Sequence, residues 1–223
     1  MAEKYGQIPK RFTKEWWKYF WAYYKVHTIL VTIIVLALLA TLIGKLTAPK
    51  YDLQINYAGH SEFLDSYIES SEKRLSYYCP DVNQNGESLL KLNIYSFPED
   101  DSIDPEYTMA MLTKFTLSIG EEDIFLYVME KDFLESYMIS ESNHASFAKV
   151  SDWCNMPVAP DKTLEFGGNA IAVSLDGSDI MRKSGVPTDE TYLLVRYAPR
   201  ADQKDQEAAY KKAVEFANEI LGY

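Results

Sequence analysis

Cysteine and histidine are scarce in this 223-residue chain: Cys79 and Cys154 are the only cysteines, and His27, His60 and His144 the only histidines. Neither type occurs in a metal-ligand spacing, so no metal centre is expected, and two cysteines cannot build a disulfide scaffold. Gly and Pro are few, at 10 and 9, and no Gly/Ser-rich or Pro-rich stretch divides the chain into several domains. Positive charge is thin beyond residue 50. Of 22 Lys and Arg and 33 Asp and Glu in all, 14 basic but 31 acidic residues lie there, a net charge of −17. With its cations scattered, such a stretch lacks the footprint of a nucleic-acid binder, which excludes nucleic acid as a partner. One catalytic signature is missing as well: there is no Gly-x-Ser-x-Gly elbow. The acidic runs Asp100-Asp101, Glu121-Glu122-Asp123 and Asp189-Glu190 read as solvent-facing charge in so acidic a region. We therefore expect no enzyme activity, no cofactor and no bound metal.

What is present begins with Val26 to Gly44, VHTILVTIIVLALLATLIG, which carries no fixed charge between Lys25 and Lys45. Nineteen helical residues cover roughly 28 Å, close to the roughly 30 Å hydrocarbon thickness of a bilayer. A span over 26–46 is expected, followed by a short linker at 47–50 and one domain over 51–223. The apolar run exceeds the roughly 7–15 residues of a signal-peptide core, and the candidate cleavage site Thr47-Ala48 runs into Pro49. An uncleaved signal-anchor is therefore expected. Before the span stand Lys4, Lys10, Arg11, Lys14, Lys18 and Lys25 against Glu3 and Glu15. Cations are retained on the cytoplasmic side, so the N-terminus should be cytoplasmic and the acidic domain extracytoplasmic, at the cell membrane.

Residues 1–25 form a second membrane feature. At about 100° per residue, Arg11, Lys14, Lys18 and Lys25 fall within about 60° of one another on a helix, with an aromatic face opposite. Together with Trp16, Trp17 and Trp21 they are expected to seat the helix in the headgroup layer, which makes the lipid bilayer itself the first partner.

The acidic part reads as alternating strands and helices. YDLQINY, LLKLNIYSF, DIFLYVM, NAIAVSL and TYLLVRYA supply five strands, the third an unbroken apolar run of the kind found in central parallel strands. Helices are expected from just after Ser61 to near Cys79, from Pro105 to Ile119 behind the Asp104 cap, from Lys131 to Met138, from Ser178 to Ser184 and from Gln203 to Leu221. The alternation predicts an α/β sandwich with a mostly parallel sheet.

Two local motifs are weaker than they look. Asp81-Val82-Asn83-Gln84-Asn85-Gly86 matches the first half of a calcium loop, but its twelfth position is Leu92 instead of Glu, so an Asn/Gly turn is expected. Phe166-Gly167-Gly168-Asn169 precedes a strand, whereas a phosphate loop needs its glycines to open a helix, so this too reads as a turn. Cys79 and Cys154 are either a disulfide, which an exterior location permits, or two unpaired small apolar residues.

The run from LTKFTLSIG through EEDIFLYVMEKDFLESYM to SFAKVSDW resembles the middle of extracellular solute-binding proteins of bacterial ABC importers. NAIAVSL, TYLLVRYA and the terminal helix are similar in order to that family's return strands and closing helix. The likeness covers about half of the exterior part and corresponds to one lobe. The whole arrangement of aromatic-basic leader, single span and acidic α/β domain resembles uncharacterised single-pass membrane proteins of Gram-positive, Clostridia-like bacteria. It implies a tethered binding or scaffolding domain that engages a second cell-surface protein or a small ligand. A solute receptor beside an importer and a cell-envelope hydrolase are the alternatives.

In open α/β sheets ligands collect beyond the carboxyl ends of the strands. The candidate contacts are therefore Gly59, His60 and Ser61 after the first strand, Ser96 and Phe97 after the second, and Glu130 and Asp132 after the third. Trp153 is added as a nearby aromatic.

Overall fold

A computed structural model describes residues 9–98, 104–121, 123–199 and 204–222. Lys4, the acidic Asp100-Asp101, Glu122 and the expected helix start at Gln203 lie outside the described residues. The chain divides into two compact units, Met1–Pro49 and Lys50–Tyr223.

Among the described residues of the first unit there is one helix, α1 (Lys14–Thr47). Thr13 caps it, its Oγ1 accepting from the Trp16 amide at 3.2 Å. Phe12 sits at φ 63°, a left-handed conformation that turns the chain away just before the cap. Arg11 therefore lies off the helix, and the basic stripe starts at Lys14, continuing through Lys18 and Lys25 with Trp21 at the same face. On another face Trp16 stacks on Phe20 at 5.3 Å and Phe20 on Tyr24 at 5.5 Å. No break separates this aromatic turn from the apolar run: 34 residues make about 51 Å of continuous helix. From Val26 to Ile43 its apolar side chains are exposed on all sides, and the helix is long and apolar enough to cross a membrane.

The second unit is α/β. Its elements are β1 (Leu53–Gly59), α2 (Asp65–Ser76), β2 (Leu90–Ser96), α3 (Pro105–Ile119), β3 (Leu126–Glu130) and α4 (Lys131–Tyr137). The short α5 (Glu141–His144) and α6 (Val150–Trp153) come next, then β4 (Thr163–Phe166), β5 (Asn169–Ser174), α7 (Asp179–Ser184), β6 (Thr191–Val195) and α8 (Lys204–Leu221). Six strands form one sheet in the order β2-β1-β3-β6-β5-β4. Side chains alternate along each strand, so Ile55, Leu126 and Val128 pack with Leu75 of α2, Met181 of α7 and Phe216 of α8 on one face. Tyr127, Met129 and Leu194 pack with Phe115 of α3 and Phe133 and Leu134 of α4 on the other. The result is a three-layer sandwich in which Leu126–Met129 of β3 is buried throughout.

The sheet is mixed, which corrects the expectation of mostly parallel strands. β1 is parallel to β2 and to β3, but β3–β6, β5–β6 and β4–β5 are antiparallel. A strand's apolar pattern reports that both its faces are covered and says nothing about its neighbours' direction. β4 is a further strand, absent from the sequence-based expectation. It is a short edge strand, joined to β5 by Gly167 and Gly168 at φ 58° and 74°, a two-residue hairpin turn that needs positive φ at both positions.

α2 starts at Asp65, not directly after Ser61. Ser61 is tied back to the strand ends: its amide donates to Glu130 and its carbonyl accepts from Ser96 Oγ. Cys79 and Cys154 are both free thiols. Burial, with Asp52 adding a smaller push, raises the Cys79 thiol to about 12, which keeps it protonated and unreactive.

Candidate functional site

β1 leads through α2 over one face to β2, and the chain then returns over the other face through α3 to β3 on the far side of β1. The carboxyl ends of β1 and β3 thus form a topological switch point, where opposite connections leave a crevice. Glu130, the last residue of β3, fills it. Its Oε1 accepts from the Tyr57 hydroxyl at 2.6 Å and the Ser61 amide at 3.1 Å, and its Oε2 from the His60 amide at 2.6 Å. Burial by itself would raise this carboxyl, but the hydrogen bonds from Ser61, Tyr57 and His60 outweigh it and hold Glu130 below the ordinary carboxylate range. Burial and the neighbouring Glu130 push the Tyr57 phenol the other way, so it stays a donor.

Gly59 is required by this packing. A Cβ there would stand 2.7 Å from Glu130 Oε2 and closer still to the carboxylate carbons. Next to it, the Phe97 amide donates to the Gly59 carbonyl at 2.8 Å, and His60 Nδ1 donates to the Phe97 carbonyl at 2.6 Å. Gly59, His60, Ser61, Ser96, Phe97 and Glu130 are therefore brought into one hydrogen-bonded cluster. Asp132 is exposed in the first turn of α4. Trp153 is not at the strand ends. It is 3% exposed, belongs to the core on the opposite sheet face, and its carbonyl accepts from Asn218 of α8 at 3.0 Å.

Beside the cluster, between α3 and α4, lies a cleft of about 670 Å³, within the range of small-molecule sites. His60 and Phe97 reach it from the strand ends, Leu112 from α3, and Phe133 and Tyr137 from α4, with Ile139 at its lip. Phe97 stacks on Phe133 at 4.5 Å and Phe133 on Tyr137 at 5.7 Å. Phe115, fully buried beneath, meets Phe133 and Tyr137 edge-on at 5.4 and 5.2 Å.

Sequence reasoning missed Tyr57, Leu112, Phe133 and Tyr137. A partial signal existed, because Phe133 and Tyr137 at i and i+4 share a helix face immediately after Glu130. Tyr57 carried none beyond its place in a strand.

The Asp81 to Gly86 loop turns its oxygens inward to its own backbone. Asp81 accepts from the amides of Asn85 and Gly86, and Asn85 Oδ1 from the Glu87 amide. The neighbouring buried Asp52 holds the loop to β1 by accepting from the amides of Val82, Asn83 and Leu89 at 2.8, 3.0 and 2.9 Å. Among the described residues no group of three or more His, Cys, Asp or Glu is placed to hold a metal ion. Millimolar calcium is accordingly expected to leave the melting temperature unchanged. A rise with calcium but not with magnesium would show that the loop opens its carboxylate to a cation.

Comparison of the chain with models of known families, with curated proteins and with solved structures finds no match.

Proposed function

We propose that this protein is a membrane-tethered, extracytoplasmic binding domain that engages its ligand or partner at the strand-end cleft and does not catalyse a reaction on it. The observation that carries the reading is that residues just beyond β1 and β2, His60 and Phe97, meet α3 and α4 at a cleft of about 670 Å³ with aromatic walls. Support for a non-catalytic role comes from Glu130, the carboxylate of the strand-end cluster. Its oxygens are committed to Tyr57, His60 and Ser61, and its lowered pKa keeps it ionised at neutral pH, which suits a structural acceptor and not a general acid.

The tether is argued from α1. Its length and exposed apolar surface are compatible with a span or a signal anchor, and the cations before it against the net −17 after it favour a cytoplasmic N-terminus. Protease added to intact protoplasts is expected to digest residues 51–223 and spare an N-terminal tag. A protected C-terminal unit, or a mature protein starting after Ala48 and released to the medium, would overturn this topology.

Binding is tested by site-specific photo-cross-linking in the full chain in its own membrane. A photoreactive residue at Ile139, 85% exposed at the lip of the cleft, should give defined adducts, whereas one at Tyr77, 85% exposed on α2's far end, should not. Equal adducts at both positions, or none at Ile139, would overturn the reading. Turnover of an envelope glycan by the purified protein, lost on changing one carboxylate, would overturn the non-catalytic part.

A further inference from the structure

The chemistry of the cleft narrows what it can hold. The domain around it carries a net charge of −17, yet no Asp, Glu, Lys or Arg is among the described residues that line it. Its broad surfaces are Phe97, Leu112, Phe133, Tyr137 and Ile139. Its polar side chains largely spend their hydrogen bonds on the protein itself. Ser136 Oγ donates to the Phe133 carbonyl at 2.8 Å and Asn143 Nδ2 to the Tyr137 carbonyl at 2.6 Å. His60 Nδ1 is turned to the Phe97 carbonyl.

A sugar or a polar peptide would lose its water-facing hydrogen bonds on entering and recover few, at a cost that apolar contact does not offset. An anionic head would meet the field of an acidic domain with no cation among the described lining residues to pair with it. A hydrocarbon chain with an uncharged head incurs neither penalty and gains by leaving water.

We propose that the cleft between α3 and α4 takes the hydrocarbon chain of an uncharged single-chain amphiphile. The inference rests on the binding reading above and names its ligand class. Two sources offer this chemistry, a neutral lipid of the membrane and a free long-chain alcohol.

The test uses the full chain in lipid nanodiscs with two diazirine probes of equal chain length, a dodecanol and a dodecanoate, read by mass spectrometry of the labelled peptides. Labelling of α1, which is bathed in lipid, normalises for partitioning. The alcohol is expected to label 108–116 and 133–143 well above the carboxylate after that normalisation. Unlabelled dodecanol and a neutral monoacylglycerol are both titrated against the signal: dodecanol competing at the lower concentration identifies a free alcohol as the ligand, and monoacylglycerol competing at the lower concentration identifies the lipid. Ile139→Glu changes a side chain that is 85% exposed and should not disturb folding. By setting a charge at the lip it should cut the cleft labelling about tenfold.

Equal labelling by both probes, no labelling of the cleft, or labelling indifferent to Ile139→Glu would overturn the hydrocarbon proposal. If the cleft stays unlabelled while a protein or polar adduct at Ile139 persists, the hydrocarbon inference is wrong and the binding reading stands. If neither forms, both fall.

Discussion

Replacing Glu130 by Ala is expected to destabilise the α/β unit by about 3 kcal/mol, because it strips one acceptor from three donors at once. The Tyr57 hydroxyl, 2.6 Å from Oε1, belongs to a residue that is fully buried and has no water to replace the carboxylate. The half-buried amides of His60 and Ser61 recover part of their loss from solvent, which is why the total stays near the lower bound for three orphaned donors. In a unit of this size the melting temperature should fall by roughly 6–12 °C.

Gly59→Ala should reach a similar loss by another route, since its Cβ would displace the pinned carboxylate. The two changes should not add. Once Glu130→Ala has emptied the space, Gly59→Ala should cost little, and a double-mutant cycle by thermal melts would show coupling of about 2–3 kcal/mol. Additive losses would mean that the two residues act separately.

The lowered Glu130 carboxyl also sets a pH dependence. A carboxylate whose folded pKa lies below its unfolded value contributes stability that is present above the unfolded value, about 4.3, and is lost as pH falls through the folded one. The stability gap between the native protein and Glu130→Gln should therefore be constant above about pH 5 and close as the pH drops below about 4. A gap that persists to lower pH would show that the charge contributes nothing.

Phe115→Ala is the second large effect. Phe115 is fully buried in α3 and touches Tyr95 at 5.2 Å, Phe133 at 5.4 Å, Tyr137 at 5.2 Å and Tyr127 at 6.3 Å. Removing the ring deletes its burial and leaves a void under the cleft, a combination that costs about 3–5 kcal/mol. Against a typical domain stability of about 5–15 kcal/mol this brings the unit near its unfolding limit at body temperature. Phe115→Leu, which fills most of the void, should lose about half as much. Denaturant melts of both variants check the pair. A loss below about 1 kcal/mol for Phe115→Ala would mean that α3 rests on the sheet without this ring.

The same ring explains why the cleft was invisible in the sequence. Phe115, Phe133 and Tyr137 each read as ordinary apolar positions on amphipathic helices, and nothing local says that α3 and α4 lie side by side on one sheet face. Gly59, His60, Ser61, Ser96, Phe97 and Glu130 were legible because strand ends are legible: an apolar run stops, and the next few residues must sit at the edge of the sheet. Trp153 was misplaced for the converse reason, since an aromatic in a short turn carries no sign of which sheet face it will cover.

By itself the sequence determined the apolar helix with its cationic approach, the acidic α/β unit behind it, and most element boundaries. Each of these depends on neighbours within a few residues, through hydropathy, capping and period. Tertiary structure alone decided three things. The antiparallel half of the sheet depends on how the connections after β3 fold back, a long-range choice that strand patterns do not encode. The helix start at Asp65 instead of directly after Ser61 depends on Ser61 being claimed by Glu130 and Ser96, 69 and 35 residues away. The cleft, uncharged among its described lining residues, exists because α3 and α4, the helices on either side of β3 in the chain, pack on the same sheet face, so its chemistry belongs to their packing and not to any stretch of sequence.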